Sequence, residues 1–207
     1  MQISWNGLSC FEITANTSNG EVSVVVDPYS EGTGLRVPRA LEADIVCVSH
    51  DDNDANNVSS VAGEPFAVKM SGEYEVKDVF VYAIPVDKGI IFRIEAEGMH
   101  VAHLGAISRA LSDKELETLG TVDILMIPVG GGRVLTPKLA AEVMAQIEPR
   151  VVIPMTYALP SLKESLATVD DFCKAIGTCR RETSNKYKIA KKDLPADDML
   201  VMELGKA

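Results

Sequence analysis

The 207-residue chain reads as one α/β domain built on mixed β-sheets, and three observations carry that expectation. The first half is a series of short apolar runs with a period near two, the pattern of strands that bury one face. The second half alternates strand-like with helix-like segments, the rhythm of crossover connections. Between the halves lies no linker, repeat or low-complexity stretch, and a chain this long buries roughly 70% of its unfolded surface around one core. The expected unit is therefore a single domain over 1–207.

In order along the chain, Gln2–Trp5, Cys10–Thr14 and Val22–Val26 are expected strands, separated by Asn6-Gly7 and the polar cluster Asn16–Gly20, which suits an antiparallel meander. Asp44–Val48 is apolar without alternation, as in a strand buried on both faces, and it runs straight into Ser49-His50-Asp51-Asp52-Asn53-Asp54. Further strands are expected at Phe66–Met70, Val79–Pro85, Ile90–Glu95 and His100–Leu104, with a strand entry at Glu73-Tyr74-Glu75. Ser112 with Glu115 three residues on is a capping box, and Gly120 ends the helix it opens. Ile124–Val129 is a buried strand running into Gly130-Gly131-Gly132, and Thr136-Pro137 opens a helix to about Gln146. Arg150–Met155 is a strand, Leu162–Ile176 an amphipathic helix ended by Gly177, and Lys186–Ala190 and Met199–Leu204 are closing strands.

Composition narrows the function. Thirty acidic against twenty basic residues give a formal charge of −10, which repels phosphate backbones, so no nucleic-acid partner is expected. The basic stretch from Arg180 to Lys192 reads as a solvated surface strand. No apolar run approaches the ~18–20 residues that span a bilayer, and Met1–Phe11 lacks a secretory pattern. The expectation is a cytoplasmic protein with no membrane partner. In that compartment Cys10, Cys47 and Cys173 are expected as reduced core thiols and Cys179 as an exposed one. Three histidines, His50, His100 and His103, bound any imidazole-rich metal site.

Chemistry tends to gather past the C-terminal ends of buried strands. His50, Asp52 and Asp54 alternate on such a loop, where they either converge on a cation or form a solvated turn with local backbone bonds. His100 and His103 lie an odd number apart on one strand and so face opposite sides; a single histidine at a strand end is more often a hydrogen-bonded structural residue. The loop Pro128–Gly132 lets backbone approach closely but is not followed by the Lys-Ser/Thr of a phosphate loop, and Thr156-Tyr157 offer a hydroxyl and a phenol.

The order of these segments resembles the metallo-β-lactamase superfamily. The residues that carry it are Trp5-Asn6-Gly7-Leu8-Ser9-Cys10-Phe11, Val26-Asp27-Pro28-Tyr29, Val48-Ser49-His50-Asp51-Asp52-Asn53-Asp54, Ser71-Gly72-Glu73-Tyr74-Glu75-Val76, His103-Leu104-Gly105, Ile127-Pro128-Val129-Gly130-Gly131 and Ile153-Pro154-Met155-Thr156-Tyr157. The nearest branch is that of short Zn-dependent hydrolase-like proteins related to the L-ascorbate-6-phosphate lactonase group. The resemblance runs from about Ile3 to Leu204. It implies a four-layer αββα sandwich, two mixed sheets flanked by helices, with a metal site where the loops meet. It also implies that Asp27 lies beneath the site and orients the His50 loop.

The departures bear on function. Where the family has His-x-His-x-Asp-His, this chain has Asp52 for the second histidine and Ala55 for the last. The bridging aspartate of His-Leu-Gly-Asp is Ala106, the late histidine is Thr156, and the early histidine is Leu8. Dinuclear zinc is therefore not expected, because the second metal keeps only Asp54. Two readings remain. In one, the dinuclear site is largely lost and the protein is a non-canonical or inactive hydrolase homologue that binds a small molecule or serves a structural role; there His103→Leu is expected to cost little. In the other, a single Zn, Mn or Fe ion sits on His50, Asp52 and His103 and hydrolyses a small ester, lactone or phosphoester, with Asp54 as general base. Substrate and oligomeric state are not legible in the residues.

Overall fold

The computed structural model describes residues 1–38, 41–177, 179–196 and 198–207. Along the chain run β1 (Gln2–Gly7), β2 (Cys10–Thr17), β3 (Gly20–Val26), β4 (Ile45–Cys47), β5 (Phe66–Val68), β6 (Gly72–Val76), β7 (Val79–Val86), β8 (Gly89–Ala96), β9 (Met99–His103), α1 (Asp113–Leu119), β10 (Ile124–Pro128), α2 (Pro137–Ile147), β11 (Val151–Met155), α3 (Val169–Ile176), β12 (Arg180–Arg181), β13 (Lys186–Lys188) and β14 (Leu200–Glu203). Among the described residues they form two mixed sheets, ordered β13-β1-β2-β3-β4-β5 and β12-β14-β11-β10-β9-β8-β7-β6.

Alternation along the strands sets the layers. Val24, Val26, Ile45 and Cys47 join the main core with Phe92, Ile94 and Val101 of the second sheet. The intervening Val25 and Val46 point the other way, into a smaller cluster with Leu8, Tyr29, Leu35, Leu41 and Val61. Much of the cover over that outer face comes from the connections on either side of β4, whose only regular elements among the described residues are the 3₁₀ turns Glu31–Thr33 and Val58–Ser60. The helices serve the second sheet, where Ala140 and Val143 of α2 and Phe172 of α3 are buried in the main core. Tyr29 holds the smaller cluster in place, its hydroxyl lying 2.9 Å from the carbonyls of both Asn6 and Arg36, which share its one proton.

The meander β1-β2-β3 is antiparallel as expected, and β4 lies parallel between β3 and β5. In the second sheet β9, β10, β11 and β14 run parallel. The C-terminal ends of β3, β4, β9, β10 and β11 deliver Asp27, Ser49-His50, His103, the Gly130 loop and Thr156. Capping is as the sequence reads: Ser112 and Glu115 form a capping box, and the Thr136 hydroxyl accepts from Leu139 N–H with Pro137 at the first helical position.

Two expectations change. The helix expected over Leu162–Ile176 exists only as Val169–Ile176, because Thr168 and Asp171 form a second capping box there and Ala167 N–H is committed to the Gly130 carbonyl at 2.6 Å. The residues before it form a wall beside the site instead. The cysteines also differ from the all-thiol expectation: Cys10 and Cys47 are buried and free, whereas Cys173 in α3 and Cys179 ahead of β12 form a disulfide. They lie six positions apart, and Gly177 at the helix end lets the chain turn back far enough to pair them. None of the helices among the described residues is long and apolar enough to cross a membrane.

Candidate polar site at the strand ends

A row of alternating charges organises the site. Asp27, fully buried, accepts the Ser49 N–H at 2.7 Å and the Ser49 hydroxyl at 2.6 Å. The Ser49 oxygen in turn lies 2.8 Å from His50 Nδ1, and His50 Nε2 lies 2.9 Å from Asp54 Oδ1. Asp54 Oδ2 is 2.5 Å from Arg133 Nη2, while Arg133 Nε donates to both oxygens of Glu164 at 3.0 Å. Once the Ser49 hydroxyl donates to Asp27, it accepts from His50 Nδ1–H, and Nε2–H donates to Asp54. His50 is then an imidazolium between two carboxylates.

The electrostatics agree. Burial works against a charged His50, but the Asp54 hydrogen bond and the carboxylates of Asp27 and Asp54 outweigh it and raise its pKa above the usual 6.5. Burial likewise opposes ionised Asp54, yet His50 and Arg133 together hold it below the usual 3.8. Asp27 is pushed up by its burial, against His103, His50 and the Ser49 bonds. The signs define a pH window. A raised His50 contributes stability that is complete below 6.5 and fades as pH rises through its folded value. A lowered Asp54 contributes above 3.8 and fades as pH falls through its own. The stability lost in Asp54→Asn, measured by urea unfolding, should therefore be larger near about pH 5 than near about pH 8. An equal loss at both would mean that His50 carries no charge there.

The loop does not converge as simple alternation suggested. Ala55 N–H and Asn56 N–H both bond back to the Asp52 carbonyl at 3.0 Å, so 52–56 is a helical turn. Coiling from Asp52 onward brings Asp54 back to His50 and leaves Asp52 facing outward. Asp52 is exposed, with Oδ1 accepting Asn53 N–H at 2.6 Å.

His103 is elsewhere again. It is fully buried, with Nε2 2.9 Å from the Ser9 carbonyl and Nδ1 accepting Gly105 N–H at 3.2 Å. A carbonyl only accepts, so Nε2 carries the proton and the ring is neutral; burial lowers its pKa in the same sense. Asp27 Oδ2 is 4.0 Å away. This is the structural histidine the strand-end position allows. It also reverses the expectation that His103→Leu costs little, since leucine would leave two buried backbone groups without partners. His100 faces the other way, as its spacing required, with Nδ1 3.2 Å from Asp123.

The positions that the resemblance marks as changed differ in exposure. Leu8 and Ala55 are fully buried, Ala106 is half-buried, and Thr156 is 1% exposed with its hydroxyl unpartnered among the described residues. Leu8, Asp27 and Thr156 all have φ near +50°, and Thr156 N–H bonds to the Leu8 carbonyl at 3.2 Å. Left-handed backbone at a β-branched residue costs on the order of 1–2 kcal/mol, so packing at this end of the sandwich over-determines it. Gly130 is required beside it, because a Cβ there would stand 2.3 Å from the Thr156 carbonyl.

A divalent metal does not fit the donors in this arrangement. Both nitrogens of His50 donate, both nitrogens of His103 are taken by backbone, and Asp54 is held by a guanidinium. Among the described residues no group of three His, Cys, Asp or Glu side chains is placed to hold a metal ion. Arg133 and Glu164, which complete the charge row, were not singled out in the sequence. An arginine directly after a glycine loop at a buried strand's end was the available signal for the first. Glu164 was hidden inside the overlong helix expectation.

Residues 2–156 match the family described as a beta-lactamase superfamily domain. The crystal structure of a candidate Zn-dependent hydrolase of the metallo-β-lactamase superfamily from Thermotoga maritima superposes with a TM-score of 0.83 at 30% identity, covering 98% of each chain. A UPF0173 protein from Pyrococcus abyssi is 26% identical across 76% of this chain and 83% of its own. A UPF0173 metal-dependent hydrolase from Thermococcus onnurineus is 24% identical across 76% and 84%.

Proposed function

The chain belongs to the beta-lactamase superfamily domain family, whose relatives include metal-dependent hydrolases, and from that premise we propose that this member works as a small-molecule binding module without a dinuclear metal centre. One observation carries the reading: the Arg133 guanidinium lies between Asp54 and Glu164, a fixed cation among the carboxylates at the heart of the site. A tethered positive charge neutralises those carboxylates without occupying a lone pair of His50, which stays free to donate. Leu8, Ala55 and Ala106 fit the same reading, since filling a polar cavity with apolar side chains avoids unpaired buried groups.

Two openings flank the His50–Asp54 pair. One, lined by His50, Asp51, Asn56 and Lys69, has a volume of about 540 Å³; the other, against Asp54, Arg133 and Glu164, is about 190 Å³. Both are polar at the rim, as binding sites with a few orienting groups are.

Metal content tests the proposal. Purified with added zinc, manganese and iron and then desalted, the protein is expected to hold under about 0.1 equivalent of any of them. A full equivalent that disappears in both His50→Ala and Asp52→Ala would overturn it in favour of a mononuclear hydrolase on His50, Asp52 and His103.

A further inference from the structure

The smaller opening has a chemistry of its own. A guanidinium has five N–H donors, and those of Arg133 are only partly used: Nε serves Glu164 and Nη2 faces Asp54. Among the described residues Nη1 has no hydrogen-bond partner, and the side chain is 33% exposed. Lys163, exposed, stands at the same rim. Asp52, also in the lining, is exposed and uses one oxygen for Asn53 N–H, leaving the other free among the described residues. The half-buried Leu162 is an apolar part of the lining, and Leu8, also in the lining, is itself fully buried.

Those groups select by charge. The lining carboxylates, Asp52, Asp54 and Glu164, outnumber the lining cations, Arg133 and Lys163, on a chain of net charge −10. A simple anion meets free donors but also that excess of negative charge, and a simple cation meets the guanidinium. A ligand with one charge of each sign satisfies both ends. The volume, about 190 Å³, lies well below the ~300–1,000 Å³ of drug-sized sites, which limits the ligand to a few heavy atoms.

We propose that this opening binds a small zwitterion of the α-amino acid class, its carboxylate on the Nη1 edge of Arg133 and its ammonium on Asp52, with a short apolar side chain against Leu162. The proposal rests on the reading that Arg133, and no metal ion, organises the site. Lys163 adds a second positive charge to the lining, and charge-assisted bonds at both ends give the orientation.

Calorimetric titration of the full-length protein with alanine, valine and leucine tests this, alongside propionate and propylamine, which each keep one charge. At least one amino acid should bind saturably, and each single-charge analogue should bind about tenfold more weakly or worse, a loss of roughly 1.4 kcal/mol. Arg133→Met should weaken the amino acid by a similar factor. Asp52→Asn, an exposed change that leaves the charge row intact, should weaken it several-fold and restore parity with propionate. Saturable binding by none of the amino acids, equal binding by propionate, or unchanged binding in Asp52→Asn would overturn the proposal. Metal content separates the two ideas: metal-free protein that ignores every amino acid sinks the zwitterion alone, whereas a full equivalent of metal sinks the reading beneath it.

Discussion

Asp27→Ala is expected to lower stability by about 3 kcal/mol, and with it to loosen the loop that carries His50. The carboxylate is fully buried and is the acceptor for both the N–H and the hydroxyl of Ser49, so alanine leaves two buried donors in need of partners. Each such orphan costs about 1–3 kcal/mol, and relief of the carboxylate's own desolvation offsets part of the sum. The backbone adds to the loss, since φ here is +49° and aspartate tolerates that region better than alanine. For a chain of this size about 3 kcal/mol moves the midpoint down by roughly 6–12 °C. Asp27→Asn is the control. Its carbonyl oxygen still accepts Ser49 N–H and its amide donates to the Ser49 oxygen, so the loss should stay under about 1 kcal/mol. The same change removes a charge that holds the His50 pKa up, and NMR titration should show the His50 value moving down. An Asp27→Ala protein as stable as the parent would show that Ser49 finds other partners.

His103→Leu should cost about 2–3 kcal/mol, for a different reason. The side chain is similar in bulk and the site is apolar on one side, where the Phe11 ring meets the imidazole edge-on at 5.9 Å. Packing is therefore nearly conserved, and what disappears is the pair of hydrogen bonds to the Ser9 carbonyl and the Gly105 N–H. Gly105 has no freedom to compensate, since φ is +54° and a Cβ there would stand 2.8 Å from Ser49 Cβ. His103→Gln keeps a donor that can reach Ser9 and should recover about half of the loss in urea unfolding. Equal losses in the two variants would assign the cost to ring packing instead.

The elements of the fold were legible because they are local. Strand periodicity placed the meander, and the all-apolar run before His50 identified a strand that β3 and β5 flank on either side. Capping residues marked all the helix starts except one. For α3, the apolar spacing after Leu162 resembled a helix, while Thr168 and Asp171 held the true start six residues later. The disulfide was not legible either. Four scattered cysteines give no pairing until the turn at Gly177 brings Cys179 back against α3.

The site was legible only in outline. The loops that carry His50, His103, Gly130 and Thr156 were identified, since each follows a buried strand, and strand parity separated His103 from His100; the segment that carries Glu164 was read as helix instead. The partners of His50 and His103 were not identified. Whether positions 50, 52 and 54 share a side depends on whether the loop extends or coils, and the backbone bonds to the Asp52 carbonyl decide that. His103 pairs with a carbonyl 94 residues away, and Asp54 with an arginine from the other sheet's loops.

By itself, then, the sequence determined the strand and helix pattern, the layers and the family resemblance, because periodicity, caps and residue identity act over a few positions. Only the tertiary structure decided what the remaining polar groups do. Sheet register and two loop turns bring His50, Asp54, Arg133 and Glu164 into one row of alternating charge, and no local pattern encodes contacts made between strand ends so far apart in the chain.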